Sequence, residues 1–274
     1  MKTPRLRSSQ FDSAPFAMRE LDVDQLLRAR SQVMLRADFL DEILETDDDA
    51  PELTVSNGVG VIRLHGAIGY GLAGWEKKYL GMIDIVDVTT LLDQAISRGD
   101  IRAVLLHCSS PGGTVMGITE AAARIYEARA SKPIVAYAKG FMASSCYWLA
   151  SQASAVYGSR SALIGSIGVY SALWDTSAAA AAAGYTRVLV SSAPRKGLPQ
   201  DGLKIDDAQL AAIRERVLAY AAMFTADVQR GRAGTVQENA FDGGEWIAQK
   251  AAARGLIDDV IDSENEAMAE ALKL

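Results

Sequence analysis

Four short segments of this chain carry residues that could do chemistry together. Ser109-Ser-Pro-Gly-Gly-Thr114 lies between a strand-like and a helix-like run, and its two glycines let the backbone take φ > 0 and approach a ligand. Backbone N–H groups at such a junction are good anion donors, and one oxyanion donor contributes about 2.7–4 kcal/mol in acyl transfer. A tight turn that needs glycine for its own geometry accounts for the same residues. Gly140-Phe-Met-Ala-Ser-Ser-Cys-Tyr-Trp148 puts small residues just ahead of an apolar helix. A serine there sits where developing negative charge is favoured, although serine is also a leading choice for a plain N-cap. Gly165-Ser-Ile-Gly168 is a third turn. Ala193-Pro-Arg-Lys-Gly-Leu-Pro199 is a loop centred on Lys196, and a lone loop lysine is ordinarily a solvated charge.

Taken together, the segments read differently. A serine needs a base to be nucleophilic near neutral pH. The chain has two histidines, His65 and His107, and both precede Ser144. Chain order does not exclude them, since triads recur in several orders, but no histidine comes after the serine helix. A lysine whose pKa is lowered by burial can serve as the base. Lys196 is the lysine that these four segments offer. Arg195 next to it is a poor base because it stays protonated.

Ser-Pro-Gly-Gly, then Ala-Ser-x-x-Tyr-Trp-x-Ala, then Gly-Ser-Ile-Gly-Val, then a loop lysine resembles the signal peptide peptidase A family of serine peptidases. The resemblance runs from about Val59 to Val260. It includes the later runs Phe224 to Arg232 and Ala248 to Asp258. It implies the Clp protease/crotonase-like fold, with Ser144 as nucleophile, Lys196 as general base and Ser166 orienting the lysine. It also implies an oxyanion hole at Gly112 and Gly113, with the Ser145 N–H as a second donor. Two departures stand out. Ser109 replaces the usual Asp, and Ser145 and Cys146 replace small residues after the nucleophile, so Ser145 stays an alternative nucleophile. The overall pattern is most similar to phage prohead proteases. That branch implies scaffold, capsid or portal proteins as substrates, a homo-oligomer, and no metal or cofactor. The expected location is the host cytoplasm or the prohead interior, with the scaffold as a separate protein. Rival readings are a bacterial signal-peptide-degrading peptidase, a crotonase-like acyl-CoA enzyme using acidic residues, and an inactive assembly factor.

The elements that must position these residues are set by periodicity. Val59 to Leu64, Ala103 to His107, Pro133 to Tyr137, Ala155 to Tyr157, Thr186 to Val190 and Leu256 to Ile261 read as strands. Continuous apolar runs of this kind suit a parallel sheet covered on both faces. Ile85 to Ser97, Gly117 to Ala130, Ala143 to Ala153, Asp206 to Arg230 and Trp246 to Arg254 read as helices, and Gly66 to Gly81 as irregular. The alternation predicts an α/β fold of repeated βαβ units. Expected boundaries are a helical N-terminal arm over 1–54 with its helix at Leu21 to Leu44, a peptidase domain over 55–262, and a helical tail over 263–274. A net charge of −6 offers no basic footprint for nucleic acid. Cys108 and Cys146 lie in no CxxC pattern and read as reduced thiols rather than a metal site. No apolar run is long enough to span a bilayer, and no secretory signal is evident.

Overall fold

A computed structural model describes residues 16–18, 28, 52–197 and 199–274. The helix expected at Leu21 to Leu44 falls, apart from Arg28, outside the described residues.

The apolar runs become the centre of an eight-stranded sheet. Strands β3 (Val59–His65), β6 (Ala103–Ser110) and β8 (Ile134–Ala143) pair in parallel. Beyond β8 lies β10 (Leu163–Gly165), also parallel, and then β11 (Glu245–Ile247), antiparallel. Strand β2 (Thr54–Ser56) closes the other side as an antiparallel edge. Two further strands, β9 (Ala155–Gly158) on β8 and β12 (Asp259–Val260) on β9, extend the sheet. A small second sheet has the order β1 (Phe16–Met18), β7 (Gly112–Thr114), β4 (Ile68–Gly69), β5 (Ile83–Asp84). This is an α/β architecture of repeated βαβ units, the class that the alternation of strands and helices predicts.

Strand alternation divides the core in two. Ile62, Leu64, Val104, Leu106, Cys108, Ile134 and Ala136 face one layer of helices. That layer holds α2 (Ile85–Ser97), α3 (Ile118–Ala128), the six-residue α4 (Ser145–Ala150) and the C-terminal part of α6 (Asp207–Gly231). Helix α2 forms because Asp84 caps it, accepting from the Val86 N–H at 3.0 Å, and because Ile85, Val88, Leu91, Leu92 and Ala95 share one buried face. Val59, Val61, Leu105, Val135 and Tyr137 face the opposite way. They are covered by α8 (Glu264–Ala271), whose Ala267, Met268 and Ala271 are buried.

Several elements differ from the periodicity reading. Thr186 to Val190 is not a strand: these residues meet no partner strand among the described residues, and Val188 and Val190 are 78% and 92% exposed. β-branched residues favour a strand only where a neighbouring strand completes the ladder. They belong to an arm, residues 171–206, that also holds α5 (Ser177–Ala182), a helix with no buried residue. The region Gly66 to Gly81 is ordered as β4 and α1 (Gly74–Leu80). Its backbone is tied down where the Gly71 and Leu72 N–H groups donate to Asp84 at 3.1 and 2.7 Å. Trp246 begins as part of β11, and the helix there, α7, runs only over Ala248–Ala252. No helix among the described residues is long and apolar enough to cross a membrane.

The layer under α8 contains a titratable pair. His65 Nε2 lies 2.6 Å from His107 Nδ1, and His107, 2% exposed, has its Nε2 4.0 Å from the Glu264 carboxylate. Burial pushes the His107 imidazole down to about 4; Glu264 opposes this, while His65, Arg63 and Lys139 add to it. The folded protein thus holds a neutral imidazole that the unfolded chain protonates near 6.5. That contribution to stability is complete above about pH 6.5 and is lost as pH falls towards about 4. Urea midpoints of wild type and His107→Gln should therefore converge on acidification from pH 7 to 4.5. Parallel curves across that range would show that the histidine does not couple to folding.

Candidate active site

The site is built where three parallel strands end. Cys108 pairs with Ala138 and Ser110 with Met142, so one residue of β6 stands opposite three of β8, Lys139, Gly140 and Phe141. Such a bulge bends its strand and re-aims the residues beyond it. Before it, β8 pairs with β9; after it, Phe141, Met142 and Ala143 pair with Leu163, Ile164 and Gly165 of β10. Ser144 and Ser166 are the next residues on these two adjacent strands. Gly112 lies two residues past Ser110, as Ser144 lies two past Met142, and β7 packs against α4. The fold thereby brings Gly112, Gly113, Ser144, Ser145 and Ser166 to one edge of the sheet.

Ser144 sits on a strained turn, with φ 54° and ψ −123°. Its N–H donates to the Gly165 carbonyl at 2.8 Å, which fixes the turn to β10. Ser166 also has φ 54°, and its N–H donates to the Gly244 carbonyl at 2.6 Å. Among the described non-glycine residues only Asn57 and Ala233 share that sign of φ. Strain of this sort costs on the order of 1–3 kcal/mol and persists only where surrounding structure imposes it. Here that structure is α4, every residue of which is buried. Trp148 stacks on Phe224 at 4.3 Å and donates through Nε1 to Asp227 at 2.7 Å; the Tyr147 hydroxyl donates to the Leu256 carbonyl at 2.7 Å.

The Ser144 side chain makes no capping hydrogen bond to the helix, so the plain N-cap reading does not describe it. The first backbone bond of α4 runs from the Trp148 N–H to the Ser144 carbonyl at 2.9 Å. The Ser145 N–H thus belongs to the first helical turn, which has no intrahelical acceptors. The Ser145 hydroxyl is buried without a hydrogen-bond partner among the described residues. Gly112, at φ 101°, needs glycine for its conformation, and its N–H donates to the Ser110 hydroxyl at 3.2 Å. Gly113 needs glycine for another reason: a Cβ there would lie 1.8 Å from the Ile68 carbonyl oxygen of β4. Both glycines therefore satisfy the structural reading of the motif as well as presenting backbone beside α4.

Lys196 is not brought to this edge in the single chain. It is exposed in a turn where its N–H donates to the Ala193 carbonyl at 3.0 Å and its own carbonyl accepts from the Ser191 hydroxyl at 2.9 Å. It shares no hydrogen bond with Ser144 or Ser166. The burial expected around it is absent because the arm that carries it leaves the body. The two histidines lie on the sheet face covered by α8, opposite to α4 and Cys108. Cys108 and Cys146 are both free and buried on the α4 side; a hydrogen bond to Cys146, then burial, pushes the Cys108 thiol up.

Three contributors were not evident from the sequence. Ser110 engages the glycine turn, and Gly244 and Trp246 wall off Gly165 and hold Ser166. The only hint of the latter was the Asp242-Gly-Gly244 turn, which has no reactive residue of its own. Strand β1 pairs with β7. One cavity, of about 450 Å³, is lined by Ser166 with Ile167, Tyr170, Thr225 and Phe241; another, of about 640 Å³, is lined by Tyr70, Val86, Met116, Gly117 and Tyr220.

If the Ser144 turn stores strain, Ser144→Gly should raise the unfolding free energy by about 1 kcal/mol relative to Ser144→Ala, because glycine alone relaxes that φ. Chemical denaturation of the two variants measures this. Equal stability would remove the strain from the account.

The chain is similar to the head-tail preconnector protein GP5 of Enterobacteria phage P21. It is 28% identical over 261 residues, 90% of this chain and 50% of the relative. It is also similar to the capsid assembly protease C of Escherichia phage lambda, at 30% identity over 227 residues, 80% of this chain and 51% of the relative. The chain thus spans about half the length of the curated relatives it matches. Among solved structures it is similar to the 1510-N membrane-bound stomatin-specific protease S97A mutant, with a TM-score of 0.47 and 14% identity, covering 79% of this chain and 86% of that one. The profile of peptidase family S49 matches residues 127–274, more than half of the chain and the part that holds Ser144, Ser166 and Lys196. The chain belongs to peptidase family S49.

Proposed function

We propose that the protein is a serine endopeptidase with a Ser144/Lys196 dyad that processes phage scaffold, capsid or portal proteins inside the prohead. One observation carries the chemistry: Ser144 is held on a strained turn, directly beside Ser166 and the Gly112–Gly113 backbone, at the ends of parallel strands. Ligand sites of α/β sheets form outside those ends. Ser144 Oγ attacks the scissile carbonyl while neutral Lys196 takes its proton. Backbone N–H groups of the glycine turn and of Ser145 hold the tetrahedral oxyanion. The lysine then protonates the leaving amine, and water hydrolyses the acyl-enzyme. Ser166 positions the lysine, and no cofactor or metal enters the cycle. Similarity to a capsid assembly protease and a head-tail preconnector protein supports the substrate class.

The dyad closes when a second copy of the chain covers the arm. Trp174, Tyr185, Val188 and Val190 are 82%, 72%, 78% and 92% exposed there, an apolar surface that an isolated soluble chain rarely leaves open. Covering it desolvates Lys196, and desolvation favours the neutral amine that a base requires.

Co-expression with phage capsid and scaffold proteins, then mass spectrometry of the products, tests the reading. Ser144→Ala and Lys196→Ala should each lower the cleavage rate by about a thousandfold or more. Lys196→Arg should be equally inactive, since arginine keeps the charge but accepts no proton. Cleavage by Ser144→Ala at the wild-type rate would sink the assignment, and loss only in Ser145→Ala would move the nucleophile one position. Sedimentation should find an oligomer that Val190→Asp reduces to smaller species with loss of activity; a fully active monomer would refute the shared arm.

A further inference from the structure

Strand β7, the oxyanion turn itself, does not have a free edge. Phe16–Met18 lies along it as an antiparallel strand, with Phe16 opposite Thr114, Ala17 opposite Gly113 and Met18 opposite Gly112. Among the described residues this strand is the outermost of the small sheet and pairs with no other strand. Its direction matters. The chain enters at Thr114 and reaches the turn with its C-terminal end, at Gly112. Gly112 is also the end nearest the nucleophile: it stands two residues beyond Ser110, which pairs with Met142, itself two residues before Ser144. An extended peptide whose acyl side pairs with Gly112–Thr114 and whose scissile carbonyl reaches Ser144 takes this same course.

We infer that residues 16–18 occupy the substrate strand of their own protein, and that substrates are extended segments that must displace them. The inference rests on the peptidase reading of Ser144. Peptide recognition by strand addition takes its affinity from main-chain hydrogen bonds, so it tolerates varied side chains, and an internal segment competes on the same terms. The occupant is three residues long, and short ribbons are marginal on their own. The block is therefore exchangeable: it raises the concentration at which substrate wins and leaves the chemistry of the bound complex unchanged.

The test uses the full chain and labelled β-casein as an unfolded substrate. Ala17→Pro removes the N–H at the centre of the strand and cannot continue the ladder, while Ala17→Ser keeps the N–H. An intramolecular competitor lowers apparent affinity by the fraction of open sites. Ala17→Pro should thus lower KM about fivefold or more with kcat unchanged, and Ala17→Ser should behave as wild type. In a Ser144→Ala background, where no cleavage occurs, Ala17→Pro should speed amide exchange within Gly112–Thr114, at the N–H groups that face Phe16–Met18. Equal KM for wild type and Ala17→Pro, or a fall in kcat with KM unchanged, overturns the inference and leaves the peptidase reading standing. If neither wild type nor Ala17→Pro hydrolyses casein or reacts with a serine-directed phosphonate, the peptidase reading fails, and the inference with it even where exchange shows the pairing intact.

Discussion

Three residues of β8 standing opposite one of β6 set the geometry on which the site depends. Without that bulge β8 would continue alongside β9, and the serine turn would end beside a different strand. With it, β8 crosses to β10, so that Ala143 and Gly165 become partners and the serines next to them become neighbours. Gly140 belongs to the bulge for a local reason: a Cβ there would press on the Ser109 hydroxyl at 3.2 Å.

The strained turns at Ser144 and Ser166 are held by structure that comes from far along the chain. Arg232, at the end of α6, makes two hydrogen bonds to Asp258 at 2.9 and 2.8 Å, and Asp258 also accepts from the Val156 N–H at 2.7 Å. Burial alone would raise the Asp258 carboxyl, but Arg232 and the Val156 N–H together hold it below the usual carboxylate range. Charge-assisted, bidentate pairs of this kind are directional as well as strong. The pair fixes the end of α6 to β9 and β12. From there Phe224 and Asp227 reach Trp148 and lock α4, and with it the backbone that carries Ser144. The strained Ser144 turn and the fully buried helix behind it are two sides of one arrangement, because only a rigid support can impose an unfavourable φ.

Rigidity stops at the arm. Buried residues of α6 are confined to its last turns, and residues 171–206 contribute no strand or buried helix. Lys196 rides on that arm, so the proposed nucleophile and its proposed base differ in how they are held: one by a packed core, the other by whatever covers the arm. The histidine pair under α8 is tightly placed, yet it faces away from α4. Placement on one face of the sheet or the other, and not chemical aptness, decides which groups can lie near Ser144.

Local features were legible in the residues alone. Runs such as Ala103 to Ser110 and Ile85 to Ser97 had the right period for their elements, and their alternation gave the α/β class. The long α6 was legible because an Asp206/Gln209 capping box opens it. The order of small, glycine-rich and serine turns marked Gly112, Gly113, Ser144 and Ser166, because each lies at the end of a strand. Tertiary structure alone decided the rest. Thr186 to Val190 has strand-forming residues but finds no partner, since pairing is non-local. The β8 bulge, the support of Ser166 by Gly244 and the docking of Phe16–Met18 on β7 join segments roughly twenty to a hundred residues apart through backbone groups that every residue possesses. Residue type carries no record of which backbone will meet which, so the sequence marked the turns, and the packing of sheet and helices set where they come together.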